Sequence, residues 1–314
     1  MSEKQTNLDQ NVDNALLGVI ADMPDGTAKG AVNIRKNGQS VSRVQSDNVQ
    51  IVSKTDKPGI DVYFKANTLY EACHVPVIIT ESGTAETVYN DFYVAENCDV
   101  TIIAGCGIHN CGDGESRHDG IHTIHVAKNA KLRYVEKHYG EGDGKGANVM
   151  NPQTVVYLEE GAFLKMETAQ IKGIDSTRRD TKIYCGPGAE AVVTERLQTH
   201  GEQQADSYLE ISLDGDGSRG RVISRSVAQE QSRQNFYPRM VGNARCFGHV
   251  QCDSILMGDA KISSVPAVVA NSTGAELVHE AAIGRIAGDQ LLKLQTLGLT
   301  KEEAEERILN GFLA

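Results

Sequence analysis

Three residues near the C-terminal end of this 314-residue chain have the chemistry to hold iron. Cys252 offers a soft thiolate. His279 and Glu280 offer an imidazole and a carboxylate, 27 residues further on. Thiolate, imidazole and carboxylate are the donors from which protein iron sites are built. The spacing alone does not demand a metal, because no CxxC pair accompanies it. A buried cysteine and an ordinary surface His–Glu pair would satisfy it as well.

Other candidate nucleophiles and ligands are scattered. Cysteines stand at 73, 98, 106, 111, 185, 246 and 252, an odd number without the spacing of a disulfide framework. Each is core filler, a metal ligand or a reactive thiol. Cys98, Cys106 and Cys111 form C-x7-C-x4-C, which fits neither a ferredoxin run nor a zinc knuckle. Cys73, and Cys185 in Tyr-Cys-Gly-Pro-Gly, read as structural. His118, His122 and His125 read as surface or corner residues, and an extended strand would point His122 and His125 to opposite sides. The glycine-rich run from Gly140 to Gly146 has no following Ser or Thr and no strand–helix context. It is not a P-loop, so any ATP must be hydrolysed by another chain.

The elements that position these residues are mostly strands. Leu8, Val12, Leu16, Leu17 and Ile20 have helical spacing and predict one amphipathic helix over 6–22, ended by Pro24-Asp25-Gly26. Short Val-, Ile- and Thr-rich segments at 31–35, 49–53, 61–64 and 75–80 read as strands. Beyond about residue 83 the strands repeat. A corner of Asn or Gly, usually followed by Ala, precedes each, starting at 97, 129, 161, 188, 217 and 243, with later ones at 259 and 274. A period near 30 residues with two or three strands per period marks a β-solenoid with parallel pairing; an ordinary β-sandwich is the competing architecture. After Ile286, Leu291, Leu292 and Leu294 lie on a helical stripe closed by Gly298. Thr300 and Glu303 form a capping box for a second helix to Asn310, with Gly311 at its C′ position. These two helices either cap the solenoid's open edge or dock a partner. The implied divisions are 1–82, 83–286 and 287–314.

Composition narrows the function classes. A net charge of −11 argues against nucleic acid and anionic membranes. No apolar run reaches the ~18 residues of a spanning helix, and the N-terminal residues lack a secretory pattern, so a cytoplasmic location is expected. Hydrophobic residues at 40% allow a substantial core, while 31 glycines and the absence of Trp suit a turn-rich β protein.

Several ordered motifs then resemble the SufB/SufD scaffold family of iron–sulfur cluster assembly. They are Gly201-Glu202-Gln203-Gln204-Ala205-Asp206, Ser232-Arg233-Gln234-Asn235-Phe236-Tyr237, and Asn243-Ala244-Arg245 leading into Gln251-Cys252-Asp253-Ser254-Ile255-Leu256-Met257-Gly258-Asp259. His279-Glu280-Ala281 and the tail from Gly298 through Ala304 to Asn310-Gly311-Phe312 continue them. Ala104-Gly105-Cys106 is a looser match. The resemblance implies a mainly β fold, a right-handed parallel β-helix core with an N-terminal helix and a C-terminal pair of short helices. It implies a scaffold rather than an enzyme. A transient cluster, [4Fe-4S] or [2Fe-2S], would form at Cys252, His279 and Glu280, and sulfur derived from a cysteine desulfurase would be accepted at Cys106. A SufC-type ABC ATPase would dock on the terminal helices through Leu291, Leu292, Leu294, Ile308 and Phe312, and apo iron–sulfur proteins would receive the product.

The Cys–His–Glu pattern is SufB-like rather than SufD-like. Family members are commonly longer at the N-terminus, and Cys111 is additional here. The short chain looks like a minimal system in which one scaffold, as a homodimer, replaces the SufB–SufD pair. A SufD-like structural partner without its own cluster is the first alternative. A β-helix carbohydrate enzyme is a more distant one, disfavoured by the absence of Trp sugar platforms.

Overall fold

The computed structural model describes residues 11–313. A helix, α1 (Val12–Ala21), leads into β1 (Ala31–Lys36), β2 (Gln39–Val44), β3 (Val49–Ser53), β4 (Gly59–Phe64), β5 (Leu69–His74) and β6 (Val77–Ile79). The repeating body follows as β7 (Ala85–Val94), β8 (Asp99–His109), β9 (Ser116–Val126), β10 (Lys131–Glu141), β11 (Asn148–Met150), β12 (Gln153–Leu158), β13 (Phe163–Lys172) and β14 (Ser176–Cys185). It continues through β15 (Glu190–Thr199), β16 (Gln204–Leu213), β17 (Arg219–Ala228), β18 (Arg233–Gly242), β19 (Cys246–Leu256), β20 (Lys261–Ser264), β21 (Ala267–Ala270) and β22 (Ala275–Gly284), and closes with α2 (Gly288–Thr296) and α3 (Lys301–Leu313).

The strands form a β-solenoid of about 8 turns. Each turn lays one long strand in each of two facing 11-stranded sheets. One sheet runs β5-β8-β10-β13-β15-β17-β19-β22 and the other β4-β7-β9-β14-β16-β18, with the short β11 and β12 together filling one rung between β9 and β14. The ladders are parallel and in register, Lys131 opposite Asp99 and Phe163, Arg219 opposite Glu190 and Phe247. Parallel pairing excludes the sandwich alternative, whose sheets are antiparallel. The parallel ladder also reaches back before residue 83, because β4 pairs with β7 and β5 and β6 pair with β8.

The corner signature has a backbone cause. Asn67, Asn97, Asn129, Gly161, Gly188 and Gly217 recur at the same corner of successive coils, each with φ between 58° and 75°. That left-handed conformation costs Gly nothing and Asn little. The next corner hydrogen bond, Gly217 N–H to Arg245 O at 2.7 Å, places the repeat at Arg245-Cys246 rather than at the expected Asn243. Between corners, inward side chains alternate with outward ones and fill one continuous core of Ile, Val, Leu and Ala.

The N-terminal helix packs outside the first sheet. Leu16, Leu17 and Ile20 are fully buried, and the helix backbone rides so close over Gly105 that a β-carbon there would collide with Ile20. Residues 6–10 of the expected helix, Leu8 included, lie outside the described residues. At the other end the capping box forms reciprocally: Glu303 N–H donates to Thr300 Oγ1 at 3.1 Å and Thr300 N–H donates to Glu303 Oε2 at 2.8 Å. Gly311 does not end α3 as expected; the helix carries on through it to Leu313. A reason is visible in the next two residues, whose carbonyls find side-chain donors. Arg225 donates to Phe312 O at 3.0 Å and Arg196 donates to Leu313 O.

Candidate functional site

Cys252 and His279 meet on the last two coils. Cys252 points inward from β19 and is 3% exposed. His279 stands on the neighbouring β22, across from Val250, two residues before Cys252 along the ladder. Its Nε2 lies 3.7 Å from Cys252 Sγ. Burial pushes the Cys252 thiol up to about 12, the nearby Glu195 and Asp253 carboxylates adding to the rise while Ser264 opposes it. Burial likewise lowers the His279 imidazole, with help from His249. The ring is therefore neutral near pH 7 and its nitrogen lone pair is available to a ligand, while the thiol gives up its proton only to something that binds the thiolate directly.

Glu280 is not brought to this pair. Consecutive strand residues alternate in direction, so Glu280 projects from the outer face, where Oε1 sits 3.4 Å from His249 Nε2. Its side chain is 63% exposed. Among the described residues, no group of three His, Cys, Asp or Glu converges as a metal would require. A single chain thus contributes one thiol and one imidazole inside, with a carboxylate round the edge.

This end of the solenoid is open. In earlier coils the inward apolar residues are covered by the next rung. In the last coil the inward-facing Val268 (48%) and Ile283 (44%) have no rung above them, and Val265 (54%) and Val278 (43%) are exposed on the outer face beside them. The terminal helices do not cover them. They fold back along the outer face instead, where Arg225 and Arg196 tie the end of α3 to β17 and β15. Of the five residues expected to bind a partner, Leu292 is 61% exposed, Leu291, Leu294 and Ile308 are half-buried, and Phe312 turns in beneath the Arg225 guanidinium.

Cys106 lies in different surroundings, several coils away. It faces the solenoid interior from β8 and borders a small cavity with His118, His122, Glu136 and His138, with room for about one water-sized group. Burial alone would raise its thiol. The positive charge and hydrogen bond of His118, together with His138, outweigh that and hold it at about 7. His118 is raised to about 10 although burial opposes it, by the Cys106 thiolate and by Glu86. The Nδ1 of His118 faces Glu86 Oε1 at 3.3 Å, off the line of a well-aligned hydrogen bond, and Arg35 holds the same carboxylate at 2.7 Å. Each charge favours the other, so the pair leans toward thiolate and imidazolium.

From that pair a run of buried polar side chains crosses the solenoid toward Cys252. His138 Nε2 contacts Glu136 Oε1 at 2.7 Å, and Arg179 donates to the same oxygen at 3.1 Å. Arg179 Nε then stands 3.8 Å from Glu195 Oε1. Glu195 accepts from Ser207 at 2.7 Å and from Ser224 at 3.2 Å, and Ser224 is the ladder partner of Cys252. Burial would raise the Glu136 carboxyl, but the Arg179 and His138 charges hold it far below its ordinary range.

The expectation that His118 and His122 are surface or corner residues is overturned. Both point inward from β9 and are buried, His122 hydrogen-bonded to Tyr134 at 2.7 Å. Burial lowers His122 to about 4, so it stays neutral. Only His125 faces out, stacked between Tyr93 and Tyr157, as the alternation required. Cys98, Cys106 and Cys111 do not share an environment. Cys98 is buried and donates to Lys65 O at 3.1 Å, Cys106 lines the cavity, and Cys111 is exposed on a turn. Cys73 and Cys185 are fully buried core residues, both thiols pushed up to about 12 by burial.

Fold and site together define a parallel β-solenoid that carries sulfur and nitrogen donors on its last two coils and a charged thiolate pocket in its interior. The family model described as the SUF system FeS cluster assembly SufBD core domain matches residues 77–312. The chain belongs to the SufBD family of iron–sulfur cluster assembly proteins. It is similar to a SufBD family protein of Methanocaldococcus jannaschii, 28% identical over 242 residues, covering 76% of this chain and 75% of the relative. It is also similar to one of Archaeoglobus fulgidus, 25% identical over 275 residues, covering 86% and 73%. Against one of Methanothermobacter thermautotrophicus, 26% identical, the alignment covers 82% of this chain but only 61% of the relative. No helix among the described residues is long and apolar enough to cross a membrane.

Proposed function

We propose that this chain is the scaffold subunit of a SUF-type assembly complex and builds a labile iron–sulfur cluster where two copies meet. The observation that carries the reading is the approach of Cys252 and His279 to 3.7 Å on the last coils of an open-ended solenoid. One copy supplies too few ligands. Joining two open ends about a twofold axis would double the thiolate and imidazole count and bury the exposed, inward-facing Val268 and Ile283. It also gives the rim carboxylate of Glu280 a neighbour across the axis. Incomplete cysteine ligation suits a protein that must release what it builds to apo iron–sulfur proteins. Anaerobic incubation with ferrous iron and a sulfide source should give visible charge-transfer absorbance. A protein that stays colourless would instead be a SufD-like structural partner.

Cys106 is the sulfur acceptor in this reading, fed by a cysteine-desulfurase-derived donor. Its thiolate character near neutral pH supports the role, because the thiolate is the nucleophile. The buried polar run through His138, Glu136, Arg179 and Glu195 links the coil of Cys106 to that of Cys252 inside the solenoid.

A SufC-like ABC ATPase docks on α2 and α3. The helices leave the open coil uncovered and still present Leu292 and Leu297 to solvent, at 61% and 72% exposure. That favours docking over capping. Deleting residues 288–314 should abolish capture of the ATPase and leave the far-ultraviolet β signal intact. Loss of the β signal would restore the capping role.

A further inference from the structure

The turn between β8 and β9 carries a second, exposed thiol in a prepared setting. Cys111 Sγ lies 3.0 Å from His109 Nε2, and His109 Nδ1 lies 3.2 Å from Glu141 Oε1. The other oxygen of Glu141 accepts a hydrogen bond from Tyr139 at 2.9 Å. His109 and Glu141 are ladder partners on adjacent coils, and both side chains are about one-third exposed or less, while Cys111 is open to solvent. The three donors stand in series with the imidazole in the middle, so they share no point at which a metal could sit. A thiol, a base within hydrogen-bond reach and a carboxylate orienting that base is the arrangement of an activated nucleophile.

The turn is held rigidly. Gly142, Gly144 and Gly146 stack directly over Asn110, Gly112 and Gly114 of the coil before, and a β-carbon on any of them would collide with that backbone. This explains the glycine-rich run from residue 140 to 146. Two of the turn's amides are paired with side chains: Gly112 N–H donates to Asn110 Oδ1 at 3.2 Å and Gly114 N–H to Ser82 Oγ at 3.1 Å. Neither of these two N–H groups is left to stabilise an oxyanion. Transfer of sulfane sulfur needs no oxyanion hole, only a thiolate and a proton for the departing thiol.

We infer that Cys111, with His109 as general base and Glu141 as positioning residue, takes sulfane sulfur from a persulfide-bearing donor at the protein surface. This rests on the scaffold reading above. His109 Nε2 accepts the Cys111 proton, and the thiolate attacks the terminal sulfur of R–S–SH. A new S–S bond forms on Cys111 as the old one breaks, and the departing R–S⁻ takes the proton from His109. The products are the Cys111 persulfide and R–SH, so no external oxidant or reductant is required.

The full-length chain would be mixed anaerobically with glutathione persulfide, quenched by alkylation at intervals, and read by peptide mass spectrometry for one added sulfur atom. The earliest added sulfur should be on Cys111. His109→Ala should slow its appearance about tenfold or more, Glu141→Gln less, with unchanged circular dichroism. Equal rates in His109→Ala and the parent, or first appearance on Cys106, would overturn the inference. If Cys111→Ser leaves loading of Cys106 as fast as in the parent, the surface site is dispensable while the Cys106 reading stands. If neither cysteine takes up sulfur, both fail.

Discussion

Cys252→Ser should lose most of the cluster that the parent chain takes up on anaerobic reconstitution. Burial holds the Cys252 thiol at about 12, so iron must displace a proton that solvent does not remove at neutral pH. The soft iron–thiolate bond offsets that cost. A serine hydroxyl is a harder ligand with a still more tightly held proton, and the same pocket gives it no help. The fold should hardly notice, because Oγ replaces Sγ at a site that already has His279 3.7 Å away as a polar neighbour. His279→Ala and Glu280→Ala should each weaken the cluster less, since water or a nearby donor can take one position. Cys185 lies in apolar core, so Cys185→Ala is the fitting control and should keep its cluster. Iron, acid-labile sulfide and visible absorbance report the result. A Cys252→Ser variant as fully loaded as the parent would remove the assignment.

Arg179→Met should destabilise the fold by ~3–5 kcal/mol, the usual cost of breaking a buried charge network from one side. Arg179 is 6% exposed and stands between two buried carboxylates, Glu136 and Glu195. Methionine fills the space but leaves both acids without their cation. Glu136 would keep His138 and the Tyr134 hydroxyl, and Glu195 only two serine hydroxyls. The double variant Arg179→Met with Glu136→Gln should recover part of the loss, because the surplus charge is then smaller. Urea unfolding at pH 7 measures both. A loss within about 1 kcal/mol would mean that the network is wet and screened.

The difference in legibility between the two ends of the molecule has a physical origin. The helix ending at Ala21, the capping box at Thr300 and the corners at Asn97, Asn129, Gly161, Gly188 and Gly217 are local features, set by backbone conformation within a few residues. Cys252, His279 and the terminal motifs lie in one contiguous stretch. The interior cluster is different, since its members come from β7, β8, β9, β10, β14 and β15 and meet only once the coils stack. Part of it was still within reach of the sequence. The 32-residue spacing of the corners at 97 and 129 places His138 against Cys106 and Glu141 against His109, as the ladder confirms. What spacing alone does not supply is which side of each strand faces in. Alternation read from the buried Ile124 and Val126 turns His118 and His122 inward with them. The same alternation separates Glu280 from His279, which adjacency in sequence suggested were a pair.

The claim that the cluster belongs to two copies joined at their open ends is tested most directly by size. The reconstituted parent would be run anaerobically on a sizing column with light scattering and in-line visible absorbance. Cluster absorbance should travel with a species of twice the 33.9 kDa chain mass. A single charged residue in the exposed last-coil patch, Val268→Asp, should lower both the mass and the colour. Visible absorbance that elutes with a monomer, undiminished by Val268→Asp, would contradict the account.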